Sequence, residues 1–144
     1  MGIIANIVAA EEDELEAVAH SARPVNEWSG VECRGVDTAK IVTLHCLLTG
    51  AEFGLAVSFY EPRYVIDDGA MVLRLADEAF DRLATLDEEA LHEVAYELAA
   101  TEAFEIEPWD ADEVGNWLLQ LAQLAQLAES QAQVLFIWIR QSET

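Results

Sequence analysis

Basic residues are scarce in this chain. Lys and Arg number 7 among 144 residues, against 28 Asp and Glu, giving a formal charge of −21 at pH 7. Binding nucleic-acid phosphates or anionic lipid requires Lys and Arg to displace counterions, so neither is an expected partner. Cysteine is nearly absent. Cys33 and Cys46 are too few for a disulfide scaffold and have no zinc-type spacing, so both are expected to be reduced. The three histidines, His20, His45 and His92, lie far apart in sequence, and no metal site is expected. "DADEVG" and "DEEALHE" lack the full calcium-loop spacing with its turn glycine and closing Glu. No apolar run approaches the roughly 18–20 residues of a membrane span, and the opening "MGIIANIVAAEEDELE" lacks the basic stretch of a secretory signal. A cytoplasmic protein is the expectation.

Catalytic signatures are missing too. There is no Gly-x-Ser-x-Gly elbow, no His-Glu-x-x-His helix and no glycine-rich phosphate loop. Paired carboxylates carry no specificity in a chain with 28 of them. The reading therefore leans away from an enzyme, and no cofactor is implied.

What is present is ample apolar material. Hydrophobic residues make up 53% of the chain and mean hydropathy is +0.15, so it can bury a core despite its charge. One domain spanning residues 1–144 is expected. Residues 3–10, "IIANIVAA", and the late "QVLFIWIR" are near-continuous apolar runs, which marks strands covered on both faces. "EEDELEAVAHSA" places acids in the first turn of a helix. Asp37 is a natural N-cap for "TAKIVTLHCLLTG", and Gly50 a natural left-handed terminator. "FGLAVSFYEPRYVIDDGAMVLRL" is rich in β-branched and aromatic residues and predicts β structure with a turn at "DDG". From Ala76 onward helices dominate, with Asp87 as a further N-cap. Leu118, Leu121, Leu124 and Leu127 sweep nearly half a helix circumference, which predicts burial between a sheet and another helix.

This order of elements resembles the YfbM-like family of small bacterial proteins. The likeness is carried chiefly by Leu44, His45, Leu47, Leu48, Thr49 and Gly50, with Pro108, Trp109 and Asp110 second. It implies an α+β domain: a small mixed sheet, N- and C-terminal strands central, and about five helices packed on it. The family is one of unknown function, so the resemblance implies no catalytic residues.

Two regions compete as the functional site. His45 and Thr49, with aromatics nearby, could border a pocket for a small molecule or a reaction; Thr49, Tyr60 and Trp28 are candidate partners for the imidazole. Apolar neighbours Ile41, Leu44 and Leu48 favour a packed structural histidine. Cys46 lies about 100° round the helix from His45, a poor geometry for a Cys-His dyad. The second region is the charge itself. Between Asp77 and Glu113, 14 acids stand against Arg82 alone, and Glu89, Glu93 and Glu97 form a column at four-residue spacing. Each such like-charge pair costs about 0.2–0.5 kcal/mol. Solubility alone does not call for concentrating repulsion in this way. Together with Trp109, Asp110, Asp112 and Glu113, the column points to a surface for a basic protein, as in an inhibitor or immunity-type protein. The chain is then a monomer, or a dimer through an apolar face, because acidic faces repel.

Overall fold

The computed structural model describes residues 2–66, 69–101 and 111–142. A first strand, β1 (Gly2–Ala10), leads through a 3-10 turn (Glu12–Glu14) into α1 (Leu15–His20), and a second 3-10 turn (Pro24–Asn26) leads to β2 (Gly30–Arg34). The chain continues through α2 (Thr38–Thr49), α3 (Phe53–Ala56) and a 3-10 turn (Val57–Tyr60) to the hairpin β3 (Tyr64–Val65) and β4 (Met71–Arg74). Then come α4 (Asp77–Ala84), α5 (Glu88–Ala99), α6 (Ala111–Ser130) and β5 (Val134–Ser142). This is a small α+β domain.

The strands form one sheet in the order β2-β1-β5-β4-β3. The terminal strands β1 and β5 lie side by side in its interior, paired from Gly2↔Ser142 to Ala10↔Val134. Every pairing is antiparallel, so the expected mixed sheet is an antiparallel one. The reason is in the connections: β1–β2, β3–β4 and β4–β5 are consecutive neighbours whose linkers return the chain in the opposite direction, and none needs a parallel crossover.

Alternation along the central strands explains their unbroken apolar character. Ala5, Ile7 and Ala9 with Leu135, Ile137 and Ile139 face a large core under α2, α4, α5 and α6. Val8, Ala10, Phe136 and Trp138 face the opposite side, where α1 supplies Val18 and Ala19. With both faces covered from Ala5 to Ala10 and from Leu135 to Ile139, no position in these stretches is left for a solvated side chain, whereas Gln141 near the end of β5 is exposed. Within these stretches Asn6 is the polar exception, and it is fully buried. Its carbonyl oxygen accepts from the Val25 amide at 3.1 Å and its amide donates to Glu32 at 3.3 Å, pinning the Pro24–Asn26 turn to the sheet. Glu32 also receives a two-pronged ion pair from Arg23, at 2.8 and 3.0 Å, and the Arg23 hydrogen bond holds its carboxyl below the usual range.

Helix ends follow their caps. Asp37 accepts from Lys40 N–H at 3.0 Å, and Asp87 from Ala90 N–H at 2.7 Å. Gly50 ends α2 at φ 78°, a conformation that costs any residue with a Cβ roughly 1–2 kcal/mol. Along α6, Leu118, Leu121 and Leu124 are buried against neighbouring helices and the sheet, while Leu127 reaches the surface.

Residues 53–60 correct the sequence expectation. They are helical, not β, whereas the two strands predicted after them are present and paired, with Asp67 and Asp68 of the predicted turn outside the described residues. Ala56 and Tyr60 dock on the core and set the helical period, so tertiary contact overrides the β propensity of Phe53, Val57 and Phe59. Among the described residues, no single helix is long and apolar enough to cross a membrane. Only α2 taken together with residues 53–60, across a bend of 118°, meets that length and composition.

Candidate functional site

Between its Asp37 cap and Gly50 terminator, α2 carries His45 on the face turned to the core, leaving it 2% exposed. Its Nδ1 lies 2.8 Å from the Tyr60 hydroxyl. The Ala76 amide donates to that hydroxyl oxygen at 3.3 Å, and the hydroxyl hydrogen is used when Tyr60 donates to Nδ1. The Tyr60 ring meets the imidazole edge-on at 5.4 Å between centroids, and Phe59 lies tilted at 5.5 Å. Burial lowers the His45 pKa below its ordinary value of 6.5, partly opposed by the charge of Glu78. Burial also pushes the Tyr60 hydroxyl up to about 12. At neutral pH this is a pair of uncharged groups tying α2 to the segment that precedes α4.

Thr49 does not join them. Its hydroxyl donates to the backbone carbonyl of His45 at 2.9 Å and accepts from Ala51 N–H at 3.3 Å. Neither His45 nor Thr49 borders the four surface cavities described for the fold, which measure about 380–690 Å³. The two cysteines are free. Burial pushes the Cys33 thiol up to about 12, partly offset by a hydrogen bond with Trp117, and burial raises Cys46 as well. Protonated thiols of this kind are poor nucleophiles.

The acidic region is organised differently. In α5, Leu91, Ala95 and Leu98 form the buried stripe against α6 and α2. A four-residue step advances a helix by about 40°, so Glu89, Glu93 and Glu97 form a shallow column on the side turned away from that stripe. All three are exposed, and among the described residues no ion pair reaches them. Tyr96 stands beside the column, three residues after Glu93, and is 74% exposed. Sequence reasoning missed it. The apolar stripe at 91, 95 and 98 was the available signal, because it puts position 96 on the outer half of the helix.

Across from α5, the first turn of α6 presents Asp112 and Glu113, both exposed. They open on different recesses. Asp112 lines a cavity of about 690 Å³ between α5 and α6, with Asp87, Glu88 and His92 on its rim and Leu91 and Leu119 among its apolar walls. Glu113 lines a second, of about 530 Å³, with Glu32, Arg34 and Trp117. The two helices face each other at Gly115, where a Cβ would stand at an ordinary contact distance of 3.9 Å from that of Ala95. Trp109 and Asp110 lie outside the described residues. Among the described residues, no group of three or more His, Cys, Asp or Glu side chains is placed to hold a metal ion.

Fold and surface together define a small α+β domain with an antiparallel five-stranded sheet and a strongly acidic helical face. Its structure is similar to the crystal structure of YfbM from Escherichia coli, a protein of unknown function, with a TM-score of 0.46 and 14% sequence identity over 95% of this chain and 99% of that one. No family model matches the sequence, and no curated protein matches it.

Proposed function

We propose that this chain is a non-catalytic interaction protein whose acidic α5–α6 face binds a basic protein, as an inhibitor or immunity-type protein does. The observation that carries the reading is the column Glu89, Glu93 and Glu97, exposed and without ion-pair partners among the described residues. Its like-charge spacing destabilises the helix it stands on, and a cationic partner supplies the missing counter-charge. Complementary fields of this kind raise association rates more than they deepen the final complex. Tyr96 provides the aromatic group on which a Lys or Arg can rest, and Asp112 extends the negative field across the groove. Two free, protonated cysteines fit a reducing bacterial cytoplasm as the setting.

The His45 region makes the weaker case for a ligand site, because its imidazole is neutral, bonded to Tyr60 and sealed under Phe59 and Tyr60. The test of the acidic-face reading is capture of a basic protein at low ionic strength, followed by association kinetics with wild type and with Glu89, Glu93 and Glu97 all changed to Lys. The reversal is expected to slow association steeply at low salt and to have little effect at high salt. An on-rate unchanged at low salt would refute the reading.

A further inference from the structure

Five of the eight large hydrophobic side chains that stand exposed among the described residues fall within thirteen positions of one another. Phe53, Leu55, Val57 and Phe59 are 50%, 62%, 45% and 46% exposed, and Val65 is 63% exposed. The first four belong to α3 and the 3-10 turn that continues it, where Ala56 and Tyr60 are the inward residues. This segment therefore presents its apolar side chains outward. Val65 is on edge strand β3 beside Met71, so it projects from the sheet face that carries α2, α3 and α4. Taken at about half exposure, five such side chains offer on the order of 450 Å² of apolar surface. The largest apolar patch on a folded monomer is commonly about 300–600 Å² and is often functional, and this one is about half of the ~800 Å² that each partner buries in a standard interface.

Charge decides what can cover it. Between Thr38 and Val65 the chain has two acids, Glu52 and Glu61, and two bases, Arg63 and the buried Lys40, so this stretch is neutral and the rest of the molecule accounts for the whole −21. A basic partner gains no electrostatic contact here. An anionic bilayer repels the protein, and an interfacial segment needs Lys or Arg that residues 53–60 do not have. A second copy of the chain is different. Two bodies at −21 repel wherever their acidic helices approach, and they approach with least repulsion through this face, where charge is sparse. A two-fold contact also matches an apolar patch to itself, which needs no complementary partner.

We propose that the face formed by Phe53, Leu55, Val57, Phe59 and Val65 is the contact between two copies of this chain, leaving the acidic α5–α6 faces free. The inference stands independently of the basic-partner reading. Its salt dependence has the opposite sign: screening removes the repulsion between like-charged copies, so dimerisation tightens as salt rises, whereas binding of a basic protein weakens.

The experiment is sedimentation velocity and light scattering on the full chain at micromolar concentration, at low ionic strength and at about 1 M salt, where the screening length is about 3 Å. A species of twice 15.9 kDa is expected, with its share rising with salt. The double variant Leu55→Glu, Val57→Glu is expected to run at 15.9 kDa in both conditions with an unchanged circular dichroism spectrum. Both side chains are exposed, so folding tolerates the change, and Phe59, which touches His45, is left in place. Changing Glu89, Glu93 and Glu97 to Lys leaves the dimer intact. A wild type that stays at 15.9 kDa in high salt, or a double variant that still dimerises, overturns the proposal while leaving the acidic-face reading untouched.

Discussion

Replacing Glu93 is the most direct test of why α5 tolerates its own repulsion. Glu93 is the middle of the column and has a like charge four residues away on each side, at Glu89 and Glu97. Each such pair costs about 0.2–0.5 kcal/mol, and an opposite-charge pair gains a similar amount. Glu93→Gln removes two repulsions and is expected to stabilise the fold by about 0.4–1 kcal/mol. Glu93→Lys also creates two attractions, for about 0.8–2 kcal/mol in all. The attraction to Glu89 has the better orientation, because that acid precedes the introduced lysine by four residues. In a domain of this size the change corresponds to a rise in melting temperature of roughly 2–8 °C. The site is exposed, so no packing change confounds the result. Urea titrations of wild type and both variants, at low ionic strength and at about 1 M salt, give the comparison, because screening there reduces exposed pairs to little. A Lys variant that is neutral or less stable at low salt, or whose gain survives undiminished at high salt, would refute the electrostatic account of the column. The same substitution is expected to weaken capture of the basic partner. Stability gained together with capture lost would give the column its physical explanation in function.

Tyr60→Phe removes the hydroxyl that serves both His45 Nδ1 and the Ala76 amide, leaving a buried imidazole nitrogen unpaired. A loss of about 1–3 kcal/mol is expected by urea denaturation, and the combination with His45→Leu should cost less than the two single changes added together. His45 is neutral in the fold because burial lowers its pKa below 6.5, so between that lower value and 6.5 the unfolded chain binds a proton that the folded chain does not. Its contribution is present above pH 6.5 and is lost as pH falls, so the drop in stability from pH 7.5 to 5.5 should be smaller in His45→Gln than in wild type; equal drops would show that His45 does not titrate on unfolding. Two glycines should respond in opposite ways. Gly30→Ala places a Cβ 2.5 Å from the Ile7 carbonyl oxygen and should cost about 1–3 kcal/mol, while Gly115→Ala meets Ala95 at an ordinary 3.9 Å and should gain up to about 1 kcal/mol. Thermal melts of the pair check both signs.

The local chemistry of this chain was written into single residues and short patterns. Asp37, Gly50 and Asp87 fix helix ends through bonds and backbone angles that depend only on adjacent residues. The apolar runs at 3–10 and 133–140 specify strands covered on both faces, which places both in the interior of a sheet. The acidic column follows from helical period alone. Tertiary structure decided the rest. Residues 53–60 have strand-like composition, and only the docking of Ala56 and Tyr60 makes them helical and turns Phe53, Leu55 and Val57 outward. Tyr60 was one of several candidate partners for His45; the 2.8 Å contact and the Ala76 amide behind it depend on how α2, the Val57–Tyr60 turn and the start of α4 converge. Whether Tyr96 faces solvent or a neighbour depends on the packing of α5 against α6, and whether Asp112 and Glu113 share a recess depends on how α6 packs against α5 on one side and β2 on the other. Sequence sets what each segment can hydrogen-bond and which side it must bury. Which surfaces remain open is a property of the assembled layers, because exposure is what is left after every other segment has found its cover.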